Sequence, residues 1–125
     1  MLEAYSLDVT VPSLSSVPFN NITIEKGCTA TLSSPATIQL NKCGVYEVSV
    51  DASSTAATSI QLYKDGVALP QAQSTGTSPS FVTLVQVDKN NSCCPCASPT
   101  NLQVKNSGTA AATYTDINVV VTKLI

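Results

Sequence analysis

The five cysteines, Cys28, Cys43, Cys93, Cys94 and Cys96, have the most distinctive chemistry in this chain of 125 residues. Thiolates bind Zn²⁺, form disulfides or act as redox pairs. Cys93 and Cys96 have the C-x-x-C spacing of zinc and redox sites, but no βαβ pattern surrounds them as a thioredoxin-like site requires. A Cys₄ zinc site would need another thiolate from Cys28, Cys43 or a neighbouring subunit. Disulfides, a metal site and idle thiols therefore stay open, and we commit to no metal ligands.

Cys28 and Cys43 flank a predicted β-hairpin. If its strands pair about a turn centred on Pro35 and Ala36, the two cysteines lie opposite each other. A cross-strand disulfide is then possible, provided that the Cα atoms are roughly 4.4–6.8 Å apart. The alternative is a pair of buried thiols that act as small apolar side chains, as is usual in a reducing compartment.

The composition excludes several other kinds of chemistry. The chain has no His, no Arg and no Trp, only 11% of its residues are charged, and its net charge is −2. A Ser-His-Asp triad, a Cys-His pair and a His-ligated metal all require the missing His. A nucleic-acid-binding protein needs a basic surface, which this chain lacks. We therefore predict a protein that is not an enzyme, uses no cofactor and binds no nucleic acid.

The segments that must position any site read as short strands. The chain is rich in Val, Thr and Ile, which favour strands. Alternation at Tyr46, Val48 and Val50 predicts a half-buried strand, and Asp65-Gly66 is typical of a type I′ hairpin turn. Residues 71–80 read as a polar loop. Residues 81–87 are apolar on both sides, as expected of a strand buried between layers. No segment has a helical period, so we predict an all-β antiparallel sandwich of about eight to ten strands.

The first 18 residues read differently from the rest. Pro12 and Pro18 bracket a Ser-rich segment, which predicts an N-terminal arm or linker over residues 1–18 and a domain over residues 19–125. A first strand docked on the edge of the sheet, where Pro is tolerated, is the alternative. The N-terminus lacks the pattern of a signal peptide, and no apolar stretch is as long as a membrane span. We therefore expect synthesis in the cytoplasm and no membrane partner.

Three segments carry a resemblance to a known family. Residues 44–50 resemble the Gly-x-Tyr strand of C1q/TNF-like jelly-roll proteins, residues 62–66 their Leu-x-x-Asn/Asp-Gly hairpin, and residues 102–106 with 117–124 their closing strands. The resemblance covers residues 19–125. It is strongest to the bacterial and phage branch, which includes spore-surface collagen-like proteins and the head-fibre or decoration proteins of tailed phages.

The resemblance implies a ten-stranded jelly roll that assembles as a homotrimer without catalytic activity. We therefore expect a structural protein that decorates a phage capsid at the virion surface, where the N-terminal arm would hold the trimer to the major capsid protein. The alternative is a surface adhesin or carbohydrate-binding module on a spore or fibre, with surface glycans as ligands. Both expectations rest on analogy, because a fold does not determine a function.

Overall fold

The computed structural model of the chain describes residues 1–27, 29–87 and 100–125. These residues form ten strands and no helix, which confirms the predicted all-β class. The strands are β1 (Leu2–Val11), β2 (Asn21–Glu25), β3 (Ala30–Ser34), β4 (Thr37–Leu40), β5 (Gly44–Ser54), β6 (Thr58–Lys64), β7 (Val67–Gly76), β8 (Ser80–Val87), β9 (Thr100–Asn106) and β10 (Ala112–Lys123). The described chain contains no helix that could cross a membrane.

The strands form two five-stranded antiparallel sheets. The first sheet has the order β2-β1-β10-β5-β8 and the second the order β3-β4-β9-β6-β7. Alternate side chains of both sheets point into one shared core, as in a sandwich. The largest fully buried side chains of that core are Tyr46, Tyr114, Phe19, Leu2, Ile38, Leu40, Ile60, Leu62, Leu102, Ile117, Val11 and Val17.

Two local predictions are confirmed in detail. Tyr46, Val48 and Val50 are fully buried on the inward side of β5. Asp65 and Gly66 have φ angles of 50° and 83° between the paired residues Lys64 and Val67, as a type I′ turn requires. In both places the local sequence is sufficient, because alternation and turn chemistry do not depend on distant contacts.

The N-terminal segment differs from the predicted arm or linker. Residues 2–11 form β1, which pairs with β2 on one side and β10 on the other. Val17 is fully buried in the loop that follows, and its N–H donates to the Val104 carbonyl oxygen at 2.7 Å. Leu2, Ala4 and Ser6 alternate on the buried side, and both prolines lie after the strand, so residues 2–11 pack as a regular strand.

The segment 71–87 also differs from prediction. β7 extends to Gly76 through the sequence predicted as a polar loop, because only Ala72 in this stretch has to enter the core. β8 is covered on its inward face alone, as its alternating burial shows, and it also lies at the edge of the first sheet. Its outward side chains Val82 and Leu84 are 63% and 58% exposed.

Gly44 allows the start of β5 to lie close against the C-terminal residues. Gly44 has a φ of 145°, and its neighbour Val45 pairs with the C-terminal segment through the Val45 N–H to Ile125 carbonyl bond of 3.1 Å. A Cβ at position 44 would collide with the Ile125 carbonyl oxygen and would lie 2.9 Å from Lys123 Cε. We expect Gly44→Ala to lower the free energy of unfolding by about 1–3 kcal/mol, as measured by urea denaturation.

Gly66→Ala is the matched control for that substitution. Gly66 also has a positive φ, but a Cβ there meets no atom within 4 Å. Its cost is therefore that of backbone conformation alone. If Gly44→Ala were no more destabilising than Gly66→Ala, the close approach of the C-terminal segment would not contribute to stability.

Candidate interaction surface

The outward face of the first sheet is a mixed apolar and acidic surface, which we call the outer face. Its most exposed apolar side chains are Leu7, Val82 and Leu84, and Tyr5 and Val120 are half-buried on it. Leu7 lies beside Asp116, whereas Val82 and Leu84 are neighbours on β8, and adjacent exposed apolar side chains indicate an interaction surface more strongly than single ones do. The outer face therefore has the properties of a surface that another molecule covers.

The register of the strands divides these side chains into two groups. Val120 of β10 lies between Glu3 of β1 and Ser49 of β5, and Ser49 lies beside Val82 of β8. Polar residues of β5 therefore separate the apolar side chains at the centre of the sheet from those at its β8 edge. The carboxylates on the same face are those of Glu3, Glu47, Asp51 and Asp116.

Asn118 lies in the middle of the outer face. It belongs to β10, the central strand of the sheet, and is paired with Tyr5 on one side and Asp51 on the other. Its Oδ1 atom is inaccessible to water and accepts no hydrogen bond from the described residues. A buried polar atom without a partner costs about 1–3 kcal/mol, so a hydrogen-bond partner from outside the described residues would stabilise this amide.

A cluster of hydrogen bonds surrounds Asn106, at the end of the sandwich that lies opposite the β6–β7 turn. Asn106 is fully buried, and its amide makes four hydrogen bonds. Nδ2 donates to the carbonyl oxygens of Val11 and Ala110, both at 3.0 Å. Oδ1 accepts from the Gly108 N–H at 3.0 Å and from the Thr58 hydroxyl at 3.3 Å. One side chain thereby joins the end of β1, the β9–β10 loop and the start of β6.

Beside this cluster is a crevice of about 440 Å³. It is formed by residues 54–59 and 107–113 together with Thr75, and the described residues that line it carry no charge. Small hydroxyl and methyl groups alone do not identify a ligand, so we assign no binding role to this crevice.

Tyr114 lies under the same end of the sandwich. Burial raises the pKa of its phenol above the ordinary value, and the neighbouring Thr58 hydroxyl opposes this change in part. The phenol oxygen makes no hydrogen bond within the described chain, so burial is the dominant influence on its pKa. The neutral phenol is the form that the fold stabilises, and this contribution is lost as the pH rises through the raised pKa.

Of the five cysteines that are candidates for a disulfide or a thiolate site, only Cys43 lies within the described residues. Cys28, Cys93, Cys94 and Cys96 lie outside them. Cys43 is disulfide-bonded. Within the described parts of the chain, no group of three or more His, Cys, Asp or Glu residues could hold a metal ion.

The hairpin register beside Cys43 differs by one residue from the predicted one. Ala30 pairs with Leu40 and Ser34 with Thr37, because a bulge lies between Leu32 and Ser34. Continued from Ala30 and Leu40, this register sets position 27, instead of 28, opposite Cys43. The turn itself is at Pro35 and Ala36, as predicted.

We predict that Cys28 is the disulfide partner of Cys43. The chain segments next to them are close together: the Tyr46 hydroxyl donates to the Lys42 carbonyl oxygen at 2.7 Å and lies 3.3 Å from the Thr29 carbonyl oxygen. Mass spectrometry of a non-reduced digest should therefore recover one peptide pair that joins residues 28 and 43. A pair that joins Cys43 to the 93–96 segment would refute the assignment.

Neither Asn106 nor Asn118 is among the candidate residues predicted from the sequence. Asn106 could have been predicted, because it continues the inward alternation of Leu102 and Val104 on β9 and is therefore a polar residue at a core position. Asn118 could not have been predicted, because an outward Asn on a strand is common and its importance depends on which strands lie beside it.

Comparison with known proteins supports the fold. The sequence matches no protein-family model and no curated protein. The structure is similar to the PRD1 vertex protein P5, with a TM-score of 0.68, 14% identity and coverage of 99% of this chain and 96% of that one. It is also similar to the globular domain of the zebrafish complement 1qA protein, with a TM-score of 0.62, 11% identity and coverage of 95% and 94%.

A third similar structure is murine APRIL, with a TM-score of 0.61, 11% identity and coverage of 98% of both chains. Identities this low establish the arrangement of strands and leave the activity undetermined. The ten strands, their division into two sheets of five and these three likenesses together show that the chain has the C1q/TNF-like jelly-roll fold.

Proposed function

We propose that this chain is a non-enzymatic structural protein that decorates a virion surface as a homotrimer. The observation that carries the assembly is β8, an edge strand with apolar side chains on both of its sides. A strand of this pattern is normally buried on both faces, and a second copy packed on the outer face would bury it. The likeness to a vertex protein supports the virion as the place of that assembly.

Charge also favours association with a copy of the same chain. The outer face carries carboxylates, whereas Lys64 reaches across the open side of the sandwich and donates to the Gln86 carbonyl oxygen of β8 at 2.7 Å. The β8 edge is thus accompanied by a cation that suits the acidic outer face of another copy. Contacts between two different surfaces close into rings when the rotation between copies is suitable, and a ring of three gives the trimer.

The major capsid protein is the partner that we propose for the assembled trimer. The N-terminal segment is not a free arm, because β1 is paired on both sides. Attachment would therefore use a surface of the folded trimer. We place the protein at the virion surface after synthesis in the host cytoplasm.

The mass of the native protein tests the proposal. Native mass spectrometry of the full chain, purified without reductant, should give the mass of three chains at micromolar concentration. The same spectrum reports any disulfide as a loss of two hydrogens per bond. A single-chain mass over the whole concentration range would refute the homotrimer.

A surface adhesin or carbohydrate-binding module on a spore or fibre is the second candidate function. One observation favours it: the outward face of the second sheet carries the carboxamides of Gln39, Gln61 and Gln103 beside Tyr63, whose ring lies 4.5 Å from the Lys105 ammonium. Amide and aromatic groups are suited to neutral sugars. Binding on a glycan array that Gln61→Ala and Gln103→Ala abolish would favour this function over a purely structural one.

A further inference from the structure

Asn118, at the centre of the outer face, has a buried side-chain oxygen, Oδ1, that the described residues leave without a hydrogen bond. Its neighbours in the same row are Tyr5 and Asp51, and neither donates a hydrogen bond to it. Asn χ2 is a soft torsion, so rotation of the amide can turn Oδ1 towards the surface without moving the backbone.

The donors and the acceptor of the Asn118 carboxamide limit which groups can be its hydrogen-bond partners. An Asn side chain offers two N–H donors and one acceptor oxygen. It is therefore satisfied best by a group that both donates and accepts, such as a peptide group. An edge strand presents a row of peptide N–H and C=O groups that have no partner in their own sheet, and β8 is an edge strand of the first sheet.

The β8 edge also complements the residues around Asn118 in polarity and in charge. Its outward side chains Val82 and Leu84 are apolar and match Tyr5 and Val120 beside Asn118. Lys64, held at the β8 edge through Gln86, matches the carboxylates of the outer face. A second copy of this chain thus provides apolar, cationic and peptide groups on one edge.

We propose that Asn118 sets the alignment of neighbouring copies by hydrogen bonding its carboxamide to a peptide group on the β8 edge of a second copy. This inference rests on the proposed homotrimer and names the residue that makes its interface specific. A polar group in an otherwise apolar interface fixes one arrangement, because every other alignment leaves that group without a partner.

Two substitutions at this position test the proposal. Asn118→Asp keeps the shape, removes both donors and adds a charge beside Asp51, so association should weaken roughly 100-fold or more. Asn118→Leu removes the polar requirement, so the chains should still associate but as a mixture of oligomers. Native mass spectrometry and sedimentation velocity over a range of concentrations measure both effects, and circular dichroism checks that each variant is folded.

The control is Asn101→Asp, which makes the same change on β9 in the second sheet, at an exposed position. It should leave the oligomeric state unchanged. A wild-type protein that is monomeric would overturn the homotrimer and this inference together. A trimeric wild type whose Asn118→Leu variant forms the same single trimer with equal affinity would overturn the role of Asn118 alone, whether or not Asn118→Asp folds.

Discussion

Asn106→Asp is expected to lower the free energy of unfolding by at least about 3 kcal/mol at pH 7. The substitution keeps the shape of the side chain but removes both donors, so the carbonyl oxygens of Val11 and Ala110 lose the bonds they now receive. Each buried group left without a partner costs about 1–3 kcal/mol. A carboxylate in a fully buried position adds a desolvation cost. Urea denaturation at pH 7 measures the sum.

The pH dependence separates the charge from the lost hydrogen bonds. Burial raises the pKa of the new carboxyl in the folded protein above its unfolded value of about 3.9. The neutral acid is therefore the form that the fold tolerates, and the extra cost is absent below that unfolded value and grows as the pH rises above it. The difference from wild type should be smaller at pH 3 than at pH 7.

Asn21→Asp is the control for Asn106→Asp. Asn21 is exposed on β2, where the same chemical change meets water, so its effect on stability should stay within about 0.5 kcal/mol. If Asn106→Asp were as mild as Asn21→Asp, the four hydrogen bonds of Asn106 would not hold this end of the sandwich together.

The sequence predicts the class of the fold because its information is local. The alternation at Tyr46, Val48 and Val50 and the Asp65-Gly66 turn specify a strand and a hairpin whatever surrounds them. The sequence leaves β1 open between a linker and a strand, for the opposite reason. Pro12 and Pro18, which follow β1, suggest a linker, and its partner β10 comes from the far end of the chain.

The interaction surface was harder to predict than the fold. Outward positions are recognised only when strands are known to be neighbours: Asn118 and Val120 become parts of one surface through pairing with β1 and β5. The β8 segment gives the most useful disagreement. Its sequence predicts burial on both faces, whereas in the single chain its outward face is exposed, and the proposed second copy would cover that face.

Replacing both outward apolar residues of β8, as Val82→Asp with Leu84→Asp, should convert the proposed trimer to monomers. The two side chains are 63% and 58% exposed in the single chain, so the substitutions leave the core intact and the monomer folded. In the trimer they would place two more carboxylates beside Glu47 and against the acidic outer face of the next copy, and a charge buried without a partner of opposite sign costs several kcal/mol. At about 1.4 kcal/mol for each tenfold change in affinity, association should weaken more than 1000-fold.

The matched control for this pair is Leu14→Asp with Ile22→Asp. These residues are 65% and 48% exposed and lie in the β1–β2 loop and in β2, at the edge of the first sheet opposite β8. The control adds the same charge, so general electrostatic repulsion would affect both double variants alike. Sedimentation velocity should then show monomers for the β8 variant and trimers for the control. Trimers from both would mean that the β8 edge lies outside the interface, whereas monomers from both would mean that net charge, and not the apolar surface of β8, governs the assembly.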